Sequence, residues 1–99
     1  DEILYYISDL CAATREHSMV KLGVSPRGAA ALAQLARARA VLRERDYVVP
    51  DDVREIFEDV CAHRLVMKPQ AKIEGITAHD VLSQVLKEVP GPAFGRKQK

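Results

Sequence analysis

Arg27 stands in the stretch "LGVSPRGAAALAQLARARA", residues 22–40, where Ser25 and Pro26 mark the start of a helix. A serine hydroxyl accepts one of the N–H groups that a first turn leaves unpaired, and proline suits the first helical position because it has no N–H to leave unpaired. A cation in that turn opposes the helix dipole by roughly 0.3–1 kcal/mol, since the N-terminal end is already electropositive. Gly28 and Ala29 follow, so no acid in the same turn balances the charge. Helix-end N–H groups and a planar guanidinium, charged at any physiological pH, together suit a phosphate or carboxylate. Two readings stay open: an anionic ligand, or an arginine that is exposed or paired with an acid such as Asp51 or Asp52.

Other chemistry finds little support. The chain carries no G-x-x-x-x-G-K-[ST] phosphate loop, no G-x-G-x-x-G after a strand and no G-x-S-x-G nucleophile turn. Ser25 has no base partner recognisable in sequence. Cys11 and Cys61 have neither Cys nor His at zinc-ligand spacing and fall at apolar helical positions, which makes them core thiols. His17, His63 and His79 are scattered singly, so no metal site is expected. Asp51 and Asp52 follow Pro50 and read as first-turn acids that complement a helix dipole rather than as metal ligands. Taken alone, this chain is not expected to be an enzyme.

Those residues must be held by a small fold. Ninety-nine residues, 47% apolar and 29% charged, fit one globular domain or a piece of a larger protein. No run approaches the roughly 18 apolar residues of a membrane span, and "DEILYYI" lacks a basic leader region, so a cytoplasmic location is expected. Net charge is only +1, but it is segregated: residues 15–45 hold seven basic and two acidic side chains, while residues 46–60 hold one basic and six acidic. Two solvated faces or a single binding surface would both account for this.

Apolar periodicity predicts four helices. Ile3, Ile7, Leu10, Cys11 and Thr14 give the first, to about His17; it lacks an N-cap, as a helix cut from a longer chain would. The second starts at Pro26, its stripe read as Ala31, Leu32, Leu35, Ala38 and Leu42, with alanines that admit a close neighbour. The third starts at Pro50 and carries Val53, Ile56, Phe57, Val60, Cys61 and Leu65. Thr77, with Asp80 three residues on, caps the last, which buries Val81, Leu82, Val85, Leu86 and Val89. Residues 66–76, with Pro69 and Gly75, lack helical period and are expected to be irregular or to hold a short extended pair; Tyr47 and Val48 are candidates for a brief extended contact. The expected architecture is an all-α bundle over residues 1–90 with a flexible basic tail at 91–99.

"TREH" at 14–17, "KLGVSPRGAAAL" at 21–32, "ARARAVLRERDYVVPDDV" at 36–53, "AHRLVMKPQA" at 62–71 and "EGITAHDVL" at 74–82 together resemble the C-terminal helical lid of MoxR-type AAA+ ATPases. The resemblance covers residues 2–90 and rests on the order and spacing of five segments. It implies a nucleotide-binding core preceding Asp1, with ATP and Mg2+ bound by the full-length enzyme and nothing held tightly by the lid alone. It implies that Arg27 matches the sensor 2 arginine that reads the terminal phosphate, with Gly23, Ser25 and Pro26 setting the entry angle that aims it. Alanines are frequent in the family where Val24 and Gly28 stand, and threonine where Val49 stands. The implied partners are the chain's own core domain, neighbouring subunits of a ring, and a von Willebrand factor A-domain protein; the implied work is chaperone-like remodelling or activation of other proteins. Arg37, Arg39, Arg43 and Arg45 are either solvated or contacts for a partner. The competing expectation is a free-standing helical nucleic-acid-binding or histone-like module, which the acidic block at 46–60 disfavours by repelling the same phosphates.

Overall fold

In the computed structural model, which describes residues 2–91, the chain forms an all-α bundle with one small antiparallel ribbon. Of the expected tail only Gly91 is described; residues 92–99 lie outside the described residues. Helix α1 (Glu2–Glu16) turns Ile3, Tyr6, Ile7, Leu10, Cys11 and Thr14 inward, the three- and four-residue steps that put side chains on one face. Strand β1 (Val20–Leu22) leads into α2 (Pro26–Leu42); α3 (Pro50–Cys61) and a 3-10 turn (Ala62–Arg64) follow, then β2 (Val66–Met67), α4 (Pro69–Glu74) and α5 (Ala78–Glu88).

Segment 66–76 resolves into more order than its pattern predicts. Val66 and Met67 do form an extended pair, but with the α1–α2 connection: Val20 lies opposite Met67 and Leu22 opposite Val66. Pro69 and Gly75, which read as breakers, are instead the start and stop of α4: proline occupies its first turn and Gly75, at φ 75°, ends it in the left-handed region. Six residues are too few for an apolar period to register. Tyr47 and Val48 form no strand; they lie in the turn between α2 and α3.

Helix α2 buries a different stripe from the one its periodicity predicts. Gly28, Leu32, Ala36 and Ala40 face inward at strict four-residue steps, whereas Leu35 and Leu42 are 48% and 85% exposed. In an alanine-rich helix several faces look apolar, and the small-residue face wins because it lets α3 approach closely. α3 packs on α2 more extensively than any other pair of elements. The core is closed by Leu10, Leu32, Val53, Phe57, Val81 and Leu82, all fully buried.

Helix α5 starts with the reciprocal cap its sequence predicts. Asp80 N donates to Thr77 Oγ1 at 3.1 Å and Thr77 N donates to Asp80 Oδ2 at 2.9 Å. The Thr77 N–H, and after it the Thr77 hydroxyl, hold the Asp80 carboxyl below the usual carboxylate range. Val49, ahead of α3, has no side-chain oxygen to offer, and only half of such a box survives there: Asp52 Oδ2 accepts from Val49 N at 2.9 Å.

Candidate functional site

Arg27 is exposed in the first turn of α2, and among the described residues no carboxylate pairs with it. Ser25 is the cap, in an extended conformation at φ −77° and ψ 167°. Its Oγ accepts from Gly28 N at 3.2 Å and its carbonyl accepts from Ala29 N at 2.9 Å. Pro26 has no N–H to give. The Arg27 N–H therefore stays open at the helix end, without an acceptor among the described residues.

The approach to this turn is clamped by the end of α1. Thr14, fully buried, donates its hydroxyl to Cys11 O at 2.6 Å and accepts from Val24 N at 3.0 Å. Arg15 Nη1 donates to Val24 O at 2.8 Å. Both backbone groups of Val24 are thus bound to consecutive residues of α1, and its side chain is wholly buried. Gly23 makes this possible: a Cβ there would lie 2.6 Å from Arg15 N and 2.7 Å from Arg15 Cα. Backbone cannot yield as a side-chain tip can, so the loop reaches α1 only without a side chain at 23. Periodicity counted Thr14 with the apolar stripe and passed over Arg15; the signal available was the polar pair "TR" ahead of the G-x-S-P-R segment.

Neither Asp51 nor Asp52 balances Arg27. Asp52 is 1% exposed and accepts from Arg45 Nη1 at 2.6 Å and Nη2 at 2.8 Å, a bidentate pair, with Arg39 Nε at 3.9 Å. The Arg45 hydrogen bonds, helped by the Val49 N–H, hold the Asp52 carboxyl below its ordinary value against the opposing effect of burial. Arg39 also pairs with Glu55, and Arg43 Nη2 lies 3.7 Å from the same carboxylate. The segregated charge is therefore internal: basic α2 and acidic α3 meet and neutralise one another. Three of the four arginines that a DNA backbone or a partner would need are committed to carboxylates, and the nucleic-acid reading finds no support. Arg37 differs; it lines an open groove of about 330 Å³ between α1 and α2 with Ile3, Leu4 and Tyr47.

Among the described residues no group of three or more His, Cys, Asp and Glu is placed to hold a metal ion. Cys11 and Cys61 are buried free thiols, pushed up by burial to about 11 and about 12. No helix among the described residues is long and apolar enough to cross a membrane. What the arrangement offers chemically is one uncompensated guanidinium and one open N–H at the positive end of a rigidly seated helix. That set fits a phosphate or another small anion.

The family model described as "AAA lid domain" matches residues 12–85. The uncharacterized protein YeaC of Bacillus subtilis is 42% identical over 92 residues, which are 93% of this chain and 29% of that protein. The chaperone MoxR1 of Mycobacterium tuberculosis is 41% identical over 75 residues, 76% of this chain and 20% of its own length. Protein MoxR of Methylorubrum extorquens is 40% identical over 75 residues, 75% of this chain and 22% of that protein. A crystal structure of a candidate ATPase from Cytophaga hutchinsonii superposes with a TM-score of 0.87 at 32% identity, over 93% of this chain and 31% of that one. The chain thus spans less than a third of the length of each of these relatives.

Proposed function

The chain belongs to the AAA lid domain family, with MoxR proteins among its relatives, and on that premise we propose that it is the sensor 2 lid of a ring-forming ATPase. In this reading Arg27 contacts the terminal phosphate of ATP held by a core domain, and magnesium is bound by that core. The observation that carries it is the unbalanced guanidinium of Arg27 at the positive end of α2, on a turn anchored by Ser25 and by the Thr14–Arg15 clamp. A guanidinium carried on an anchored turn can stabilise the charge of a transferring phosphoryl group with little reorganisation of the backbone that bears it. When bound, ATP supplies the phosphate whose charge Arg27 answers. Gly23, Ser25 and Pro26 aim it: Gly23 admits the close approach to α1, Ser25 caps the first turn and Pro26 fixes the entry angle.

Because the turn is locked to the body of the lid, a phosphate that draws on Arg27 moves the whole lid. Nucleotide state is thereby coupled to lid position, which is how a ring of such subunits would do mechanical work on other proteins. The proposed setting is the cytoplasm, and the proposed partners are the chain's own core, adjacent subunits and a von Willebrand factor A-domain protein. The relatives' names support the chaperone character, one being a chaperone by name. The test is Arg27→Ala in the full-length protein, with ATP turnover and ATP binding measured separately; unchanged values for both would remove the sensor role.

A further inference from the structure

Gly28 lies inside α2, one residue after Arg27, and is buried. Glycine weakens a helix interior, and no positive φ at this position calls for it. Space does. A Cβ built on Gly28 would lie 2.7 Å from Val24 Cγ1, 3.0 Å from Arg64 Cδ and 3.6 Å from Arg64 Nε. The stem of Arg64 therefore crosses the first turn of α2 where a methyl group would otherwise stand.

The head of Arg64 is tied as well. Its Nη1 donates to Val60 O at 2.5 Å, a carbonyl in the last turn of α3, and among the described residues no carboxylate pairs with it. Cations at a helix C-terminus are favoured by the unpaired carbonyls there, so this is a stable tether for the guanidinium. Held at one end by α3, the exposed side chain of Arg64 lays its Cδ and Nε against the turn that carries Arg27. The Thr14–Arg15 clamp holds the loop before that turn from one side; Arg64 touches the turn itself.

We propose that Arg64 is a positioning residue for Arg27, bracing the first turn of α2 against the end of α3 through the gap left by Gly28. The role rests on the sensor 2 reading, because it matters for turnover only where Arg27 meets a phosphate. Arg64 acts through Arg27 and touches neither nucleotide nor the reacting atoms.

The test is a double-mutant cycle on ATP turnover of the full-length protein, using Arg27→Ala, Arg64→Met and the pair. Small misplacements of a catalytic group cost rate heavily, and a loss of about 10-fold in kcat/KM is expected for Arg64→Met. In the Arg27→Ala background Arg64→Met should add less than about 2-fold, since its target is already gone. Arg64→Lys, whose stem follows the same path and whose ammonium can reach the Val60 carbonyl, should restore most of the activity. Equal losses from Arg64→Met in both backgrounds would overturn the proposal while leaving the sensor reading intact. An Arg27→Ala protein with wild-type turnover and binding would overturn both. If Arg64→Met does not fold, Arg64→Gln takes its place: it keeps a polar side chain but lacks the guanidinium that reaches the Val60 carbonyl, and should lose turnover in the wild-type background but not in Arg27→Ala. A neutral Arg64→Gln would also overturn the proposal.

Discussion

Thr14 Oγ1 accepts the Val24 N–H at 3.0 Å while donating to Cys11 O at 2.6 Å, so one buried hydroxyl joins the end of α1 to the loop that leads into the turn carrying Arg27. Thr14→Val preserves the shape and removes both bonds. The Val24 N–H would be left buried without a partner, which costs about 1–3 kcal/mol. Urea unfolding of the chain should show a midpoint lowered accordingly. A Thr14→Val midpoint equal to that of the wild type would mean that the hydroxyl does not hold the loop.

The Asp52 carboxyl ties α3 to the turn after α2 through Arg45, and its folded-state value is held below the ordinary carboxylate range, first by the Arg45 hydrogen bonds. A depressed value means that the unfolded chain takes up the proton first. The contribution to stability is therefore present above the unfolded value, about 3.9, and is lost as pH falls through the lower folded value. Asp52→Asn leaves the Arg45 guanidinium without its counter-charge and should lower the urea midpoint at pH 7. The gap between wild type and variant should narrow as pH falls below the ordinary carboxylate value. Denaturation followed from neutral into acid pH checks this, and a gap independent of pH would refute the assignment.

How much of this was legible beforehand depended on whether a signal was local. Ser25, Pro26, Thr77 and Asp80 act within one turn, and the structure gives each the helix-entry role its residue type predicts. The partner of Asp52 was not legible, because Arg45 and Arg39 are brought to it only when the chain reverses between α2 and α3. The steric reason for Gly23 and Gly28 is not legible in sequence; it lies in Arg15, eight positions from Gly23, and in Val24 and Arg64, four and thirty-six positions from Gly28. The burial of α2 was misread for a related reason, since alanine carries too little apolar contrast to say which face meets α3.

Glu44 ends α2 with φ 62°, the left-handed conformation in which glycine is usual. Around it Arg45 N donates to Ala40 O at 2.9 Å and Glu44 N to Val41 O at 2.9 Å, the two bonds that close a helix C-terminus and turn Arg45 back toward Asp52. A side chain in that region carries strain of about 1–2 kcal/mol, partly offset in glycine by the freer unfolded chain. Glu44→Gly is therefore expected to stabilise the chain by about 0.5–1 kcal/mol. The measurement is a thermal melt at neutral pH; a lowered midpoint would show that the Glu44 side chain contributes more than its backbone strain costs.

Arg27 lies at the electropositive end of its helix with no carboxylate partner among the described residues, so its replacement should cost the lid little and the full-length protein much. Arg27→Ala should leave the unfolding midpoint of the chain unchanged or slightly raised, because a cation unfavourable to the helix dipole is gone. In the full-length protein the same change should lower ATP turnover by about 10²–10³-fold, the range for losing one donor placed at developing charge. Arg27→Lys separates charge from geometry. A lysine keeps the positive charge but has no planar fork to meet two phosphate oxygens, so turnover should recover only in part while ATP binding recovers more. Full recovery with lysine would show that Arg27 acts as a simple point charge, and the clamp of Thr14, Arg15 and Gly23 would then serve the fold rather than the aim of the guanidinium.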